Sequence, residues 1–288
     1  MACPCGRRKP VSPQPGKGYD RGVAAFTSEH RTSWDRDGFV VLRRFVDTGT
    51  CTAMTARIVA IAQAQAGGES ITPSFVLPET AMRDVAGPAE GRVSKIFNLH
   101  RHEPVFREFS RNERLLDLVQ ALIGPDFDSF LSQFIFKNAG AMGQPWHQDA
   151  YYFPFDRQPQ IGVWLAVTEA TRANGPLWVL PASHREPVHD VVPDRREGTN
   201  LGYVEIVDHD MAAATPVLMQ PGDLLLFHSH LMHRSTDNEA ATMRAAMVYH
   251  YTPAGTVDGT EQHFGFKSPN NDFVPVRRGG RTVDAAPG

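Results

Sequence analysis

The strand-rich part of the chain begins at FLSQFIF, residues 130–136, where aromatic and aliphatic side chains that favour extended structure are concentrated. Five more short apolar runs follow, and turn-forming residues such as NGP at 174–176 and PGD at 221–223 separate them. We therefore predict further strands at residues 161–167, 177–180, 217–219, 224–227 and 243–251.

The residues before this stretch follow a helical pattern instead. Helices are predicted at residues 28–38, 47–66 and 112–123, each beginning with a residue type that caps helix N-termini. A short strand is predicted between the first two, at residues 39–42. Because helices come first and strands follow without regular alternation, the pattern favours a mainly β fold, a sandwich or jelly roll, with an N-terminal helical layer.

The composition excludes several classes of protein. Hydrophobic residues make up 41% and charged residues 21% of the 288 residues, which excludes wholesale disorder. The net charge of −3 offers no basic surplus for nucleic acid, and no apolar run reaches the ~18 residues of a membrane span. Two of the three cysteines, Cys3 and Cys5, lie in a Pro-rich N-terminal stretch and cannot staple a core, so a reducing, cytoplasmic location is predicted.

The two ends of the chain differ from its middle. Residues 1–25 have basic residues but no apolar stretch behind them, so we expect a disordered leader and not a secretory signal. Residues 266–288 end in Gly, Ala and Pro and are expected to form a flexible tail. A single domain is predicted between them, at residues 26–265.

The densest polar and aromatic stretch is WHQDAYYFPF, residues 146–155. His147 and Asp149 are two residues apart, so both point to the same side of an extended segment. One imidazole and one carboxylate together suit a divalent metal. Such pairs also occur by chance in many chains, so the pair alone does not establish a metal site.

A second cluster contains three histidines within six residues, His228, His230 and His233, after a strand-like apolar run. A hydrogen-bonded core histidine is the ordinary interpretation of any one of them. A jelly roll could nevertheless bring one beside His147 and Asp149. Two histidines and one carboxylate form the facial triad of non-haem Fe(II) oxygenases, which leaves coordination positions open.

A lone arginine, Arg244, begins the otherwise apolar run RAAMVYHY at residues 244–251. An arginine is costly to bury unless it meets an anion, and its planar fork suits a carboxylate. The alternative is an arginine that faces outward into solvent. The residues alone leave both interpretations open.

Four groups of residues together resemble the phytanoyl-CoA dioxygenase family, most closely its phytanoyl-CoA-dioxygenase-domain-containing branch. The resemblance covers about residues 26 to 253 and keeps the order and spacing of the motifs. The groups are WHQDAYYFPF at 146–155, GVWLAV at 162–167, NGPLWVLPASH at 174–184 and the series His233, Ser235, Asn238 and Arg244.

The resemblance implies a double-stranded β-helix (jelly roll, cupin-like) enzyme that uses Fe(II), 2-oxoglutarate and dioxygen. His147, Asp149 and His233 match the iron ligands of the family. Arg244 matches the arginine that binds the distal carboxylate of 2-oxoglutarate. The other positions that match residues around the cosubstrate are Lys95, Trp164, Ser235 and Gln133, the last of which stands where the family often has Met.

The implied reaction is hydroxylation of an aliphatic C–H bond of a small-molecule or acyl substrate, with release of succinate and CO2. Asp149 disfavours halogenation, because related iron halogenases have Gly or Ala in its place. The substrate, whether a CoA thioester or a secondary metabolite, is not defined, since the loops at residues 68–92 and 185–215 align poorly. The basic pair Arg195-Arg196 is weak support for CoA, because acidic residues flank it.

Two other functions remain open from the residues. A jelly-roll metabolite-binding protein with a vestigial metal site would have no need for Arg244 and Lys95 beside the triad. A zinc hydrolase using His147, His230 and His233 would need a positioned general base and has no use for a buried Arg244.

Overall fold

The computed structural model describes residues 26–267 and 272–283 of the chain. The predicted leader, residues 1–25, lies outside the described residues. The helices within them are α1 (Ser28–Asp37), α2 (Thr48–Ala66), α3 (Pro104–Ser110), α4 (Glu113–Ile123), α5 (Asp149–Tyr152) and α6 (Thr260–Phe264). The strands are β1 (Phe39–Leu42), β2 (Phe75–Pro78), β3 (Val93–Phe97), β4 (Phe127–Lys137), β5 (Ile161–Ala166), β6 (Leu177–Val179), β7 (Val192–Pro193), β8 (Val204–Glu205), β9 (Thr215–Val217), β10 (Leu224–His228), β11 (His233–Ser235), β12 (Arg244–Pro253), β13 (Val274–Arg278) and β14 (Arg281–Thr282).

Two antiparallel sheets make up the jelly roll. The larger follows the order β1-β10-β5-β12-β4-β13-β14, and β3 and β2 extend it from the far end of β4. The smaller follows the order β11-β6-β9. Side chains of both sheets share one core, in which Val179 and Val217 meet Leu225. The predicted mainly β, double-stranded β-helix fold of the cupin-like type is therefore confirmed.

The predicted N-terminal helical layer covers the outer face of the larger sheet. Ile58 of α2 and Leu116 of α4 are fully buried in a core that includes Met247 of β12. Burying each such aliphatic side chain stabilises the fold by about 1.5–3 kcal/mol. Because side chains alternate along a strand, Arg244 and Val248 of β12 point to the opposite face, where they line a cavity.

The helix termini largely match the sequence prediction. Asp47 accepts a hydrogen bond from the backbone N–H of Thr50 at the start of α2, and an asparagine caps α4 in the same way. The N-cap of α1 is Thr27 and not Ser28, because the Thr27 hydroxyl accepts from the backbone N–H of His30. Helix α1 ends as predicted at Gly38, which has the positive φ of +83° that suits glycine.

The expectation of a flexible tail at residues 266–288 needs correction for residues 274–283. Strand β13 pairs with the start of β4, and Val276 is buried in the main core. Gly279 and Gly280, whose presence suggested fraying, have φ of +56° and +72° and form the turn between β13 and β14. Composition indicated flexibility, but pairing with a strand about 145 residues earlier orders the segment.

The same hairpin carries a buried arginine that we expect to be important for stability. The Arg277 guanidinium donates to Gln120 Oε1 at 2.6 Å and to Glu113 Oε2 and Asp117 Oδ1 at 2.7 Å each. Arg277→Ala is expected to lower the free energy of unfolding by about 1.5–3 kcal/mol, since these hydrogen bonds are charge-assisted. Urea denaturation measures the change, and exposed Arg281→Ala on the same hairpin is the control. Equal stability of both variants would contradict the prediction.

We found no helix, within residues 26–267 and 272–283, that is both long and apolar enough to cross a bilayer.

Candidate metal centre and anion pocket

A cavity of about 340 Å³ opens between the two sheets, and all eight residues that the sequence analysis selected lie around it. Its walls come from strands of both sheets and from the segment that follows β4. The selected residues that line it are Lys95, Gln133, His147, Asp149, Trp164, His233, Ser235 and Arg244.

Two of the selected histidines lie on neighbouring backbone segments that are hydrogen-bonded to each other. His147 and His233 form an isolated antiparallel bridge in which each backbone N–H donates to the carbonyl of the other at 3.0 Å. His233 is the first residue of β11, and Asp149 is the first residue of α5. The crossing of these segments brings Asp149 close to His233, which lies 84 positions later in the chain. No local sequence pattern predicts this contact.

Hydrogen bonds orient both imidazoles for metal binding. His147 Nδ1 donates to the carbonyl of Pro145 at 2.7 Å, and His233 Nδ1 donates to the carbonyl of Leu231 at 2.9 Å. The lone pair of each ring is therefore on Nε2, and each Nε2 lies 3.6 Å from Asp149 Oδ1. Backbone carbonyls that accept from the other ring nitrogen are the usual support of metal-binding histidines.

Electrostatics keep this group in the form that binds a metal. Burial alone would raise the pKa of Asp149, but the imidazoles of His233, His147 and His250 hold it well below its usual value. Burial, together with His147, lowers the pKa of His233 to about 4. The three side chains are almost completely buried, and their candidate ligand atoms lie within 4.8 Å of one another. A carboxylate and neutral imidazoles are the protonation states that a divalent cation requires.

The other two histidines of the cluster lie away from the cavity. His230 Nδ1 donates to the carbonyl of Glu186 at 3.0 Å, and the His230 backbone N–H donates to His228 Nδ1 at 3.0 Å. Among the described residues, the group around the cavity that could hold a metal consists of His147, Asp149 and His233, and it does not include His230, which the zinc-hydrolase alternative uses.

Arg244 is buried in the wall of the cavity and does not face solvent. Its Nε and Nη2 donate to the carbonyl of Gly175 at 3.0 and 2.8 Å, and its guanidinium carbon lies 5.6 Å from the centre of the Trp164 ring. Arg244 Nη1 and Trp164 Nε1 are buried, and neither has a hydrogen-bond partner among the described residues. Burial lowers the pKa of Arg244 to about 10. A buried guanidinium with an unpaired donor fits an anionic ligand.

Sequence reasoning missed a second buried cation at this end of the cavity, Lys137. It lies opposite Arg244 in the β4–β12 pairing, and its Nζ donates to Ser235 Oγ at 3.0 Å and to the carbonyl of Thr236 at 2.7 Å. Burial and the neighbouring Arg244 lower the pKa of Lys137 well below its usual value. A lysine at a strand end looks solvent-exposed in the sequence, and only the strand register places it beside Arg244.

Gln144, which was also missed, links the cationic end to the metal-binding group. Its Nε2 lies 3.1 Å from His147 Nε2, its Oε1 accepts from Lys95 Nζ at 3.1 Å, and its backbone N–H donates to Ser235 Oγ at 3.1 Å. Lys95 Nζ also lies 5.0 Å from the centre of the Tyr203 ring. The amide of Gln144 therefore occupies the His147 lone pair that a metal would use.

The chain matches a known protein family over most of its length. A family model described as phytanoyl-CoA dioxygenase (PhyH) matches residues 34–246. The chain is similar to the peroxisomal phytanoyl-CoA dioxygenase of Bos taurus, with 28% identity over 85% of this chain and 75% of that protein. It is also similar to phytanoyl-CoA dioxygenase domain-containing protein 1 of Bos taurus, with 27% identity over 88% of this chain and 99% of that protein.

Among solved structures, the chain is similar in fold to the epimerase SnoN in complex with Fe³⁺, alpha ketoglutarate and nogalamycin RO. The TM-score is 0.60 at 18% sequence identity, and the match covers 86% of this chain and 94% of that chain. At this identity the likeness concerns the fold alone.

Proposed function

The chain belongs to the phytanoyl-CoA dioxygenase family, and from this premise we propose that it is an Fe(II)- and 2-oxoglutarate-dependent dioxygenase that hydroxylates an aliphatic C–H bond of a small-molecule or acyl substrate. Succinate and CO2 are the coproducts. The observation that carries the proposal is the joint presence in one cavity of the metal-binding group His147, Asp149 and His233 and the unpaired Nη1 of buried Arg244.

Each of these groups has a defined task in the proposal. His147, Asp149 and His233 hold the iron through two nitrogens and one oxygen, the ligand set of non-haem Fe(II) oxygenases. Iron with bound 2-oxoglutarate supplies the activation of dioxygen and the oxidising power for the C–H bond. The protein contributes positioning and the exclusion of water from the buried site.

Arg244 binds the distal carboxylate of 2-oxoglutarate. The carbonyl of Gly175 accepts from two of its nitrogens and fixes the guanidinium, which leaves Nη1 without a partner and available to the carboxylate. Lys137 Nζ lies nearby and donates to the Ser235 hydroxyl. The indole N–H of Trp164 offers a further donor on the same wall. A bound dicarboxylate would neutralise the positive charge of Arg244, whose burial otherwise costs free energy.

The rest of the cavity supports an apolar substrate. Its lining contains a cluster of apolar side chains, and Tyr152 lines it as well. Phe155 is not part of the lining and packs on Phe130, with the ring centroids 4.9 Å apart. The apolar lining residues are Phe75, Leu77, Phe97, Leu131 and Phe153.

The basic pair Arg195-Arg196 adds little support for a CoA ester. Arg196 Nη2 donates to Asp194 Oδ2 at 2.8 Å and to the carbonyl of Gly143 at 2.7 Å, so its charge is already engaged within the protein. We therefore propose an apolar small molecule or acyl group as the substrate class, without assigning a CoA phosphate site.

Anaerobic titration with Fe(II) and 2-oxoglutarate tests the cofactors of the proposed function. We expect a weak visible absorption band that develops only when both are present. A zinc hydrolase or a metabolite-binding protein would give no such band. A metabolite screen scored by succinate release under air then identifies the substrate, and the absence of both signals would contradict the proposal.

The assignment of the third ligand gives a separate prediction. His233→Ala is expected to abolish iron retention, because its Nε2 faces Asp149 in the buried group. His228→Ala and His230→Ala are expected to retain iron, because neither side chain lines the cavity. Iron content after desalting, measured by atomic absorption, distinguishes the variants. Equal iron loss in His230→Ala would overturn the assignment of His233.

A further inference from the structure

A second group of potential metal ligands lies outside the cavity. Glu186 Oε2 is 2.9 Å from His189 Nε2 and 3.0 Å from His209 Nε2, and the two imidazoles lie edge to face with their centroids 5.2 Å apart. The side chains of Glu186, His189 and His209 are 38%, 24% and 21% exposed, so a cation can reach them from solvent. All candidate ligand atoms of the three lie within 4.8 Å of one another.

The hydrogen bonding of His209 is compatible with a metal ion shared between His209 and Glu186. His209 Nδ1 is 3.0 Å from the backbone carbonyl of Asp210, and because a carbonyl can only accept, Nδ1 is the protonated nitrogen. In the neutral imidazole, Nε2 therefore presents a lone pair to the carboxylate oxygen of Glu186 at 3.0 Å. Two facing lone pairs repel each other unless a proton or a metal ion lies between them.

The geometry suits a tetrahedral metal. Ligand atoms bound to Zn²⁺ at about 2.0–2.1 Å with tetrahedral angles lie roughly 3.3 Å apart. The two observed nitrogen–oxygen distances, 2.9 and 3.0 Å, need only a few tenths of an ångström of movement to reach this value. The carbonyl that accepts from His209 Nδ1 is the type of support that metal-binding histidines usually have.

The location of the group relates it to the cavity. His189 and His209 stand on either side of the β7–β8 hairpin, whose connecting segment places Leu201, Gly202 and Tyr203 in the cavity lining. The backbone N–H of His189 donates to the side chain of Gln148 at 2.8 Å.

Gln148 lies between two members of the central metal-binding group in the sequence and joins them to the surface segment. It is buried, and its Nε2 donates to the carbonyls of Pro187 and His230 at 3.0 and 2.9 Å. A cation bound by Glu186, His189 and His209 would therefore join the two ends of the β7–β8 hairpin. Gln148 holds the segment that precedes β7 close to this position.

We propose that Glu186, His189 and His209 form a second metal site, which binds Zn²⁺ or a similar divalent transition metal and fixes the base of the β7–β8 hairpin against the cavity. Three protein ligands hold the ion and leave one position for water. The proposed role of the ion is to fix the hairpin, and its three ligands are different residues from those of the group inside the cavity.

Anaerobic titration of the whole protein with Co²⁺, followed by visible absorption and by metal analysis after desalting, tests the site. We expect His189→Gln and His209→Gln each to bind one equivalent of Co²⁺ less than the unmodified protein, because the surface site is lost. His233→Ala should also bind one equivalent less, because the site inside the cavity is lost. The double variant with His209→Gln and His233→Ala should lose two. The exposed His263→Gln is the matched control and should lose none. Unchanged binding in both His189→Gln and His209→Gln overturns the proposal and leaves the proposed oxygenase function untouched.

Limited trypsin digestion tests the effect on the hairpin, because Arg195 and Arg196 are exposed cleavage sites within it. The protein is first loaded with Fe(II) and 2-oxoglutarate under anaerobic conditions, so that added Zn²⁺ reports on the second site. We expect Zn²⁺ to slow cleavage there several-fold in the unmodified protein and in His263→Gln, but not in His209→Gln. Equal rates with and without Zn²⁺ in the unmodified protein overturn the role in fixing the hairpin.

Discussion

Asp149→Ala is expected to reduce substrate-coupled succinate formation by more than about 100-fold. In the proposed iron site, which His147, Asp149 and His233 form, Asp149 is the only carboxylate, so it would supply the negative charge that partly neutralises Fe(II). Asp149→Glu is expected to perform almost as poorly, because the added methylene displaces the oxygen by about 1 Å, which costs on the order of 100-fold in a positioned site. Succinate release and iron content are measured together for both variants.

The fold of the Asp149→Ala variant is expected to survive, which makes the loss of activity interpretable. The Asp149 carboxylate contacts the imidazoles of His147, His233 and His250 at 3.6 to 3.8 Å, and these histidines can remain neutral when it is removed. Far-UV circular dichroism and the urea midpoint of the metal-free protein check this point, with exposed Asp84→Ala as the control. Near-normal turnover by Asp149→Ala would mean that Asp149 is not a ligand.

Arg244→Ala is expected to remove most of the thermal stabilisation that 2-oxoglutarate gives to the iron-loaded protein. A ligand that binds only the native state raises its melting temperature by mass action. Loss of the charge-assisted hydrogen bonds to the distal carboxylate costs about 1.5–3 kcal/mol, or roughly 10- to 150-fold in affinity. Differential scanning fluorimetry across a 2-oxoglutarate titration measures the shift.

Two further variants define the origin of this effect. Arg244→Lys keeps a positive charge but loses the planar fork, so we expect only partial recovery of affinity. Lys137→Met should weaken 2-oxoglutarate binding less than Arg244→Ala does, because the Lys137 ammonium is already engaged by Ser235 and two carbonyls. An unchanged thermal shift in Arg244→Ala would exclude Arg244 as the anchor of the cosubstrate.

Local sequence was enough for the parts of the fold that depend on neighbouring residues. Helix starts at Asp47 and Asn112 were predicted because a capping side chain bonds a backbone N–H three residues later. Seven strands, β1, β4, β5, β6, β9, β10 and β12, were predicted to within a few residues from short apolar runs between turn residues. Strands β3, β11, β13 and β14 of the two sheets were not predicted. The poorly aligned loop at residues 68–92 contains the short strand β2, whose pairing with β3 was not visible in the sequence.

The order of the motifs was enough to select the residues of the candidate site. It did not predict the contacts and distances between them. The family resemblance selected His233 over His228 and His230, a choice that spacing alone left open. That His147 and His233 share a backbone bridge, and that both direct Nε2 at Asp149, depends on contacts between segments about 85 residues apart. Such contacts have no local signal, because side-chain periodicity reports which face of an element is buried and not what that face meets.

The features that were missed share one physical cause. Lys137 resembles a solvated strand end, residues 274–283 resemble a fraying tail, and Glu186, His189 and His209 are dispersed through loops that align poorly. Composition and propensity describe each segment alone. They indicated flexibility for the tail and gave no signal for the contacts of the other two features. The register of β4 and β12 places Lys137 beside Arg244. Residues 274–278 are ordered by pairing with β4. The β7–β8 hairpin lies between His189 and His209 in the chain and places their rings in contact. Tertiary structure alone decided these positions, because the free energy that determines them comes from pairing distant segments and not from the residues next to them in the chain.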